Sequence, residues 1–164
     1  FSFLTQNAAE GVNQGLEINM DIDINESLSA FVNLGILKIE IKNWQSRQDL
    51  EGRAQAHAPG RSYALGLNWA PTSHTYLAID FTGKSSFYYS DSHNNKSKSY
   101  VLTNLNLGYV KNNWNYELWA RNIFDEYYSV RGFYFGNEAP NFIDTLYERH
   151  GDPRHIGLSI RYDF

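Results

Sequence analysis

Strict alternation of apolar and polar side chains is the feature that most constrains how this chain folds. Between residues 16 and 24 the odd positions carry Glu17, Asn19, Asp21 and Asp23, and the even ones carry Leu16, Ile18, Met20, Ile22 and Ile24. A period of two describes a β-strand with one apolar and one polar face. The alternation recurs in residues 28–41, 63–69, 77–89, 101–109, 114–120 and 156–164. It predicts seven strands, and Phe1 to Gln6 predicts the stub of an eighth.

The second strand contains a change of phase. Its apolar residues occupy even positions up to Ile36 and then odd positions at Ile39 and Ile41. Such a change predicts either a β-bulge or a strand that leaves the environment of its first half.

The connections between these strands alternate in length. Residues 25–27, 71–74 and 111–113 are short turns, whereas residues 45–60, 90–98 and 129–150 are long polar loops. In an antiparallel sheet this places all long loops at one end. Strands of about 10 residues also suit a tilted crossing of a bilayer. The predicted fold is all-β: an antiparallel up-and-down meander of 7–8 strands over residues 1–164, part of or closing as a transmembrane-type β-barrel.

Composition narrows the class of protein. A net charge of −4 argues against a basic nucleic-acid-binding protein. Aromatic residues make up 16% of the chain, and many stand at strand ends, as at membrane interfaces. Trp69, Tyr109, Trp114, Tyr116, Tyr162 and Phe164 mark the short-turn end, with Tyr63 and Phe87 to Tyr89 near the long loops. The alternative is a soluble ligand-binding barrel of lipocalin type, whose apolar residues would point inward.

The third long loop carries the candidate ligand-binding residues. Its aromatic residues and arginines are suited to stack on or pair with an anionic aromatic ligand. They are Arg131, Phe133, Tyr134, Phe135, Phe142, Tyr147 and Arg149. Packing of the loop onto itself or its neighbours is the alternative interpretation. Arg53, His57, His93 and Lys96 on the other loops are further candidates for an outer ligand rim, or are solvent-exposed residues without a partner.

Catalytic and metal sites find little support. The chain has no cysteine, no Gly-x-Ser-x-Gly elbow and no phosphate-binding glycine loop. The histidines and carboxylates of residues 148–155 do not have the spacing of a metal site. We therefore expect neither catalytic residues nor a cofactor.

Several motifs resemble one family, the TonB-dependent outer-membrane receptors. Residues 122–128, Asn-Ile-Phe-Asp-Glu-Tyr-Tyr, resemble the Asn-Leu-Phe-Asp-x-x-Tyr stretch of that family's second-last strand. Residues 151–164 begin Gly-Asp-Pro-Arg, end in Phe, and resemble its last strand. Residues 7–17 and 58–61 also fall where the family places similar loop-to-strand motifs.

The resemblance implies a role in nutrient uptake at the bacterial outer membrane. Members of the family are 22-stranded barrels with an N-terminal plug, so this chain would supply roughly the last seven strands. The plug and the segment that contacts TonB would belong to the missing N-terminal region. The implied ligand is a ferric siderophore or another scarce nutrient, and the other partners are outer-membrane lipid and the assembly machinery.

The end of the chain has an implied role of its own. A terminal aromatic with apolar residues at every second position resembles the signal recognised by the outer-membrane assembly machinery; here these are Leu158, Ile160, Tyr162 and Phe164. The alternative for the whole chain is a complete small eight-stranded outer-membrane barrel, with an adhesive, lipid-modifying or structural role.

Overall fold

One open antiparallel sheet dominates the computed structural model, which describes residues 10–164. Its strands are β1 (Glu10–Asn25), β2 (Leu28–Asn43), β3 (Arg61–Thr72), β4 (Thr75–Lys84), β5 (Tyr100–Lys111), β6 (Trp114–Arg121) and β9 (His155–Tyr162). They pair in the order β1-β2-β3-β4-β5-β6-β9. The predicted meander of seven strands is confirmed, and the predicted stub at Phe1 to Gln6 lies outside the described residues.

The short turns lie together at one end of the sheet, as predicted. Side chains stabilise two of them: Asn25 Oδ1 accepts a hydrogen bond from the Ser27 amide at 2.9 Å, and Thr72 Oγ1 accepts one from the Thr75 amide at 3.1 Å. Asn and Thr side chains readily accept hydrogen bonds from backbone amides a few residues further on, which explains why these residue types occur in the short turns between paired strands. All three long connections therefore emerge at the opposite end.

The strand register places the alternating apolar residues on one continuous face. One row across the sheet contains Met20, Val32, Leu65, Phe81 and Thr103, each directly opposite its neighbour. The polar residues occupy the other face, where Asp80 lies opposite Gly66 and Asn104. Asn104 Nδ2 donates to Asp80 Oδ2 at 2.7 Å. The two faces are thus distinct along this row from β1 to β5.

The apolar face is the more exposed of the two. On β6, Trp114, Tyr116 and Leu118 are 43%, 37% and 49% exposed, whereas Asn115 and Glu117 between them are half-buried. An outward apolar surface with a more crowded polar surface is the arrangement of a membrane barrel wall. Within residues 10–164, no helix has the length and apolar character needed to span a membrane.

The predicted end of the fourth strand is wrong. Strand β4 ends at Lys84, and Phe87 and Tyr89, expected at its end, are buried within the following loop at 7% and 3% exposure. They therefore do not belong to an aromatic ring on the sheet.

The change of phase in β2 is not a bulge, because pairing with β1 is regular from Ile36 to Ile39. Instead, the strand leaves the environment of its first half. Ile41 is 2% exposed, and its amide donates to the Arg53 carbonyl at 3.0 Å. The last apolar residues of β2 thus face the loop that covers them.

The predicted loop 129–150 contains a hairpin. Strands β7 (Ser129–Phe135) and β8 (Thr145–His150) form a separate two-stranded sheet. The alternation of Arg131, Phe133 and Phe135 with Gly132 and Tyr134 is the sequence signal for it.

Candidate ligand-binding site

The three long connections pack against one another at one end of the sheet. They are the β2–β3 loop (residues 44–60), the β4–β5 loop (residues 85–99) and the segment between β6 and β9 (residues 122–154). Backbone pairing joins the first two, since the His57 amide donates to the Tyr88 carbonyl at 2.8 Å. The candidate site is therefore built on a connected loop layer.

Arg53 joins the β2–β3 loop to the β4–β5 loop. Its side chain is only 7% exposed, and its Nη1 donates to the His93 carbonyl at 3.1 Å and to Asn94 Oδ1 at 2.8 Å. Its guanidinium lies 3.9 Å from the centroid of the Tyr88 ring, and Lys96 Nζ lies 4.2 Å from the same centroid. Arg53, considered for the ligand rim, is thus engaged in packing the loops together.

One face of the β7–β8 hairpin packs onto the β4–β5 loop. The Tyr134 hydroxyl accepts a hydrogen bond from Asn95 Nδ2, and its ring centroid lies 4.3 Å from that of His93. The Tyr89 hydroxyl donates to Glu148, and the Tyr89 ring covers Gly132 closely enough to fill the space of a side chain there. Tyr134 therefore takes the packing role that was the alternative for this loop.

The charge states of this packed face follow from its contacts. Hydrogen bonds from Tyr89 and then from Ser129 hold the pKa of the Glu148 carboxyl below its ordinary value. Burial, and then the neighbouring Arg53, lower the pKa of His93 from its ordinary 6.5. At neutral pH the packed face therefore holds a carboxylate and an uncharged imidazole, which suits a hydrogen-bonded interface.

The opposite face of the hairpin, here called the outward face, carries the remaining candidates on its two strands. Arg131 lies directly opposite Arg149, and Phe133 opposite Tyr147. The Phe133 and Tyr147 rings are stacked, with centroids 5.9 Å apart and planes 24° apart, and Phe133 packs edge-on against Phe135. The sequence prediction named these five residues; the structure brings them onto one exposed surface.

The two arginines of the outward face are electrostatically unsatisfied. Neither Arg131 nor Arg149 forms a side-chain hydrogen bond or ion pair with any residue between 10 and 164. Two like charges directly opposite on paired strands repel each other. An anion placed between the guanidinium groups would relieve this repulsion and gain charge-assisted hydrogen bonds.

The tip of the hairpin holds the last of the candidates. Phe142 is 60% exposed and has φ of +45°, a left-handed conformation that is uncommon for a bulky residue. Its amide donates to the Glu138 carbonyl at 2.9 Å, while the Glu138 carboxylate accepts from Tyr147 Oη at 3.1 Å. Glu138 thus connects the tip to the outward face.

Asn122 fixes the base of the hairpin. It is 4% exposed, and its Nδ2 donates to the Glu126 carbonyl at 2.9 Å and the Asp152 carbonyl at 3.1 Å. Its Oδ1 accepts from the Glu126 amide at 2.8 Å. Asp125 Oδ1 accepts from the Arg154 amide at 2.8 Å. The Asn-Ile-Phe-Asp and Gly-Asp-Pro-Arg motifs therefore contact each other and hold the chain where β6 ends and β9 begins.

Metal coordination has no candidate at this end of the molecule. Between residues 10 and 164, no group of three or more histidine and carboxylate side chains is placed to hold a metal ion. In the stretch of histidines and carboxylates at residues 148–155, Arg154 Nη1 donates a hydrogen bond to the Ile123 carbonyl at 3.4 Å.

Comparison with known protein families identifies the family of this chain. Residues 1–123 match the family described as TonB dependent receptor-like, beta-barrel. The chain belongs to the TonB-dependent receptor family. The family predicted from the motifs is thereby confirmed, and the soluble lipocalin-type alternative is wrong. TonB-dependent receptors are transport receptors rather than an enzyme family, and their β-barrel implies the bacterial outer membrane.

Solved structures of TonB-dependent receptors share the fold. The siderophore receptor PiuA from Acinetobacter baumannii matches with a TM-score of 0.76 at 15% identity over 93% of this chain and 22% of its own. The ferric yersiniabactin uptake receptor FyuA from Yersinia pestis matches with a TM-score of 0.77 at 15% identity, over 94% of this chain and 24% of its own. The ferric-catecholate import receptor Fiu from E. coli K12 matches with a TM-score of 0.68 at 20% identity, over 92% of this chain and 20% of its own. This chain thus spans about a fifth to a quarter of these receptors.

Proposed function

We propose that this chain supplies barrel wall and extracellular loops to an outer-membrane receptor that takes up a ferric siderophore or another scarce nutrient. The observation that carries the proposal is the outward face of the β7–β8 hairpin, where two unpaired guanidinium groups lie beside stacked aromatic rings. An anionic ligand with aromatic groups satisfies both features. The structurally similar receptors, described as siderophore and ferric-catecholate receptors, support the same ligand class.

The proposed division of labour follows from the topology. The strands form wall and pore, the loop layer and the hairpin form part of the ligand vestibule, and no residue performs bond chemistry. Arg131, Arg149, Phe133, Phe135 and Tyr147 contact the ligand, with Phe142 at the tip. Tyr134 contributes by holding the hairpin in place. Energy would enter through TonB and parts of the receptor beyond this chain.

Uptake of radiolabelled iron tests this proposal. In cells whose iron import depends on the complete receptor containing this chain, we expect transport of anionic ferric catecholate or ferric citrate complexes and little transport of a cationic ferric complex of similar size. Deletion of the receptor gene should abolish the difference. Equal accumulation of anionic and cationic complexes, or uptake that persists without the receptor, would contradict the proposal.

We also propose that the end of β9 is recognised during assembly. Leu158, Ile160, Tyr162 and Phe164 are 63%, 56%, 40% and 111% exposed, and Tyr162 lies opposite Trp114 with ring centroids 4.8 Å apart. They thus form an accessible apolar row on an edge strand.

Deletion of Phe164 is expected to lower the amount of receptor in the outer membrane several-fold, because the row loses its terminal ring. Quantitative immunoblotting of membrane fractions measures this, with Phe164→Tyr as the control that keeps the ring. Normal outer-membrane levels after the deletion would exclude the role in assembly.

A further inference from the structure

The imidazole of His93 lies in the contact between the β4–β5 loop and the β7–β8 hairpin. Its ring centroid is 4.3 Å from that of Tyr134, and the two ring planes are tilted by 55°. Arg53 of the β2–β3 loop holds the backbone at the same place, because its Nη1 donates to the His93 carbonyl at 3.1 Å. His93 therefore contacts residues of both other long connections.

Both ring nitrogens of His93 are placed for the uncharged form of the imidazole. Nδ1 accepts a hydrogen bond from the Asn95 amide at 3.3 Å, so it carries no proton. Nε2 is buried and has no hydrogen-bond partner within residues 10–164. Protonation would turn Nδ1 into a donor that faces another donor, and the resulting charge would have no acceptor at either nitrogen. The docked hairpin therefore requires a neutral ring.

Asn95 connects this imidazole to the hairpin. Its amide donates to His93, and its Nδ2 donates to the Tyr134 hydroxyl. Its carbonyl accepts a hydrogen bond from the Tyr89 amide at 3.2 Å, and the Tyr89 hydroxyl donates to Glu148. Loss of the hydrogen bond between His93 and Asn95 would therefore disturb both tyrosines that hold the packed face of the hairpin.

The charges of the two neighbouring loops disfavour an imidazolium at this position. Burial, and then the Arg53 guanidinium of the β2–β3 loop, lower the pKa of His93. Asp91 is the one acidic residue between positions 85 and 99, but its Oδ1 lies 3.9 Å from Arg53 Nη2 and so faces the guanidinium. Lys96 and Lys98 add two further positive charges to the same loop. A proton on His93 would thus join a cluster that is already positive.

The hairpin brings Tyr134, Glu148 and His150 to the packed face. Hydrogen bonds from Tyr89 and Ser129 lower the pKa of the Glu148 carboxyl from its ordinary 4.5, so Glu148 stays charged in mild acid. Ser129 Oγ lies 2.8 Å from Glu148 Oε1 and 3.4 Å from His150 Nδ1. A positive charge on His150 would therefore be attracted to the Glu148 carboxylate. Protonation in mild acid opposes docking at His93 and not at these groups.

We propose that His93 is the sensor of a pH-dependent latch, formed by His93, Asn95 and Tyr134, that docks the hairpin at neutral pH and releases it in mild acid. Because burial in the docked state lowers the pKa of His93 from 6.5, the released state binds more protons as the pH falls below that value. The docked state therefore loses stability in this range and keeps it at higher pH. The latch sets the position of the outward face and does not depend on which nutrient binds there.

Hydrogen exchange of the complete receptor at about pH 7.5 and about pH 5.5, on either side of the histidine titration, tests the latch. Rates are corrected for their intrinsic pH dependence with an unstructured peptide of the same sequence. Protection of residues 129–150 should fall about fivefold in acid, the factor that loss of one hydrogen bond brings, while β2 to β4 keep theirs. His93→Gln still offers an acceptor to the Asn95 amide but does not titrate, so its hairpin should stay protected at both pH values. His93→Lys carries a permanent charge, and its hairpin should be released at both.

His74→Gln is the matched control, because it removes an exposed imidazole at the short-turn end of the sheet and should leave the pH response unchanged. Equal protection of the native hairpin at both pH values would overturn the latch. A pH response that persists in His93→Gln would assign the response to another group, such as His150, and would overturn it as well. Loss of protection at neutral pH in both His93 variants would show that packing rather than charge controls docking, which also contradicts the proposal.

Discussion

Asn122→Ala is expected to release the β7–β8 hairpin from the barrel wall. The substitution removes the hydrogen bonds of the Asn122 side chain to Glu126 and Asp152, and it places alanine at φ of +49°. Losing buried hydrogen bonds and forcing a left-handed alanine together cost about 3 kcal/mol. Since the hairpin begins seven residues later, we expect this loss to appear as local opening there.

Hydrogen exchange on the complete receptor measures the effect. Amides of residues 129–150 should exchange roughly 100-fold faster in the variant, the factor that about 3 kcal/mol corresponds to, while the amides of β2 to β4 keep their protection. Asn122→Asp is the graded control, because it keeps the Oδ1 acceptor and tolerates the backbone conformation but loses both Nδ2 donations. Unchanged exchange of the hairpin in Asn122→Ala would show that Asn122 does not anchor it.

The double substitution Arg131→Gln/Arg149→Gln is expected to abolish tight binding of an anionic ferric complex. A hydrogen bond to a charged group contributes roughly 1.5–3 kcal/mol, so loss of both guanidinium groups should weaken the affinity by about 100-fold or more. The Phe133 and Tyr147 stack remains, and we therefore expect residual binding through the aromatic rings.

A structural defect can be separated from a loss of ligand contacts at this site. Because the two arginines repel each other across the strands, single Arg131→Gln should leave hairpin protection equal or slightly higher while affinity falls. Lys111→Gln is the matched control, since Lys111 is an exposed cation opposite Trp114 at the short-turn end of the sheet. Equal affinities of the double variant and the native receptor, measured by fluorescence quenching with the ferric complex, would remove these arginines from the ligand site.

The strands of the sheet could be predicted from the sequence because the alternation of apolar and polar residues is a local signal. Leu16 to Ile24 and Ile156 to Phe164 each determine their own faces, and the short turns carry Asn25 and Thr72, whose side chains close them. The motif at residues 122–128 was equally informative for the family. Its physical role, the contact of Asn122 with Asp152, depends on a residue 30 positions away and could not be predicted from spacing.

The candidate site was predicted in composition but not in geometry. Phe133, Tyr134 and Phe135 were grouped as neighbours in sequence, although strand pairing places Tyr134 on the face opposite the other two. Arg53, Tyr89 and Glu148 were missed as packing residues, because their partners lie on other loops. Polar residues in loops carry no periodic signal, so their burial becomes visible only when the loops are seen together.

The two-faced hairpin also limits how this receptor can change its specificity during evolution. Because neighbouring positions on β7 and β8 alternate between the packed and outward faces, inserting or deleting one residue within either strand would exchange Tyr134 or Glu148 for the residues beside them. New ligand preferences therefore have to arise by substitution at the outward positions. Changes of length can be accommodated at residues 136–144, which connect the two strands at the exposed tip.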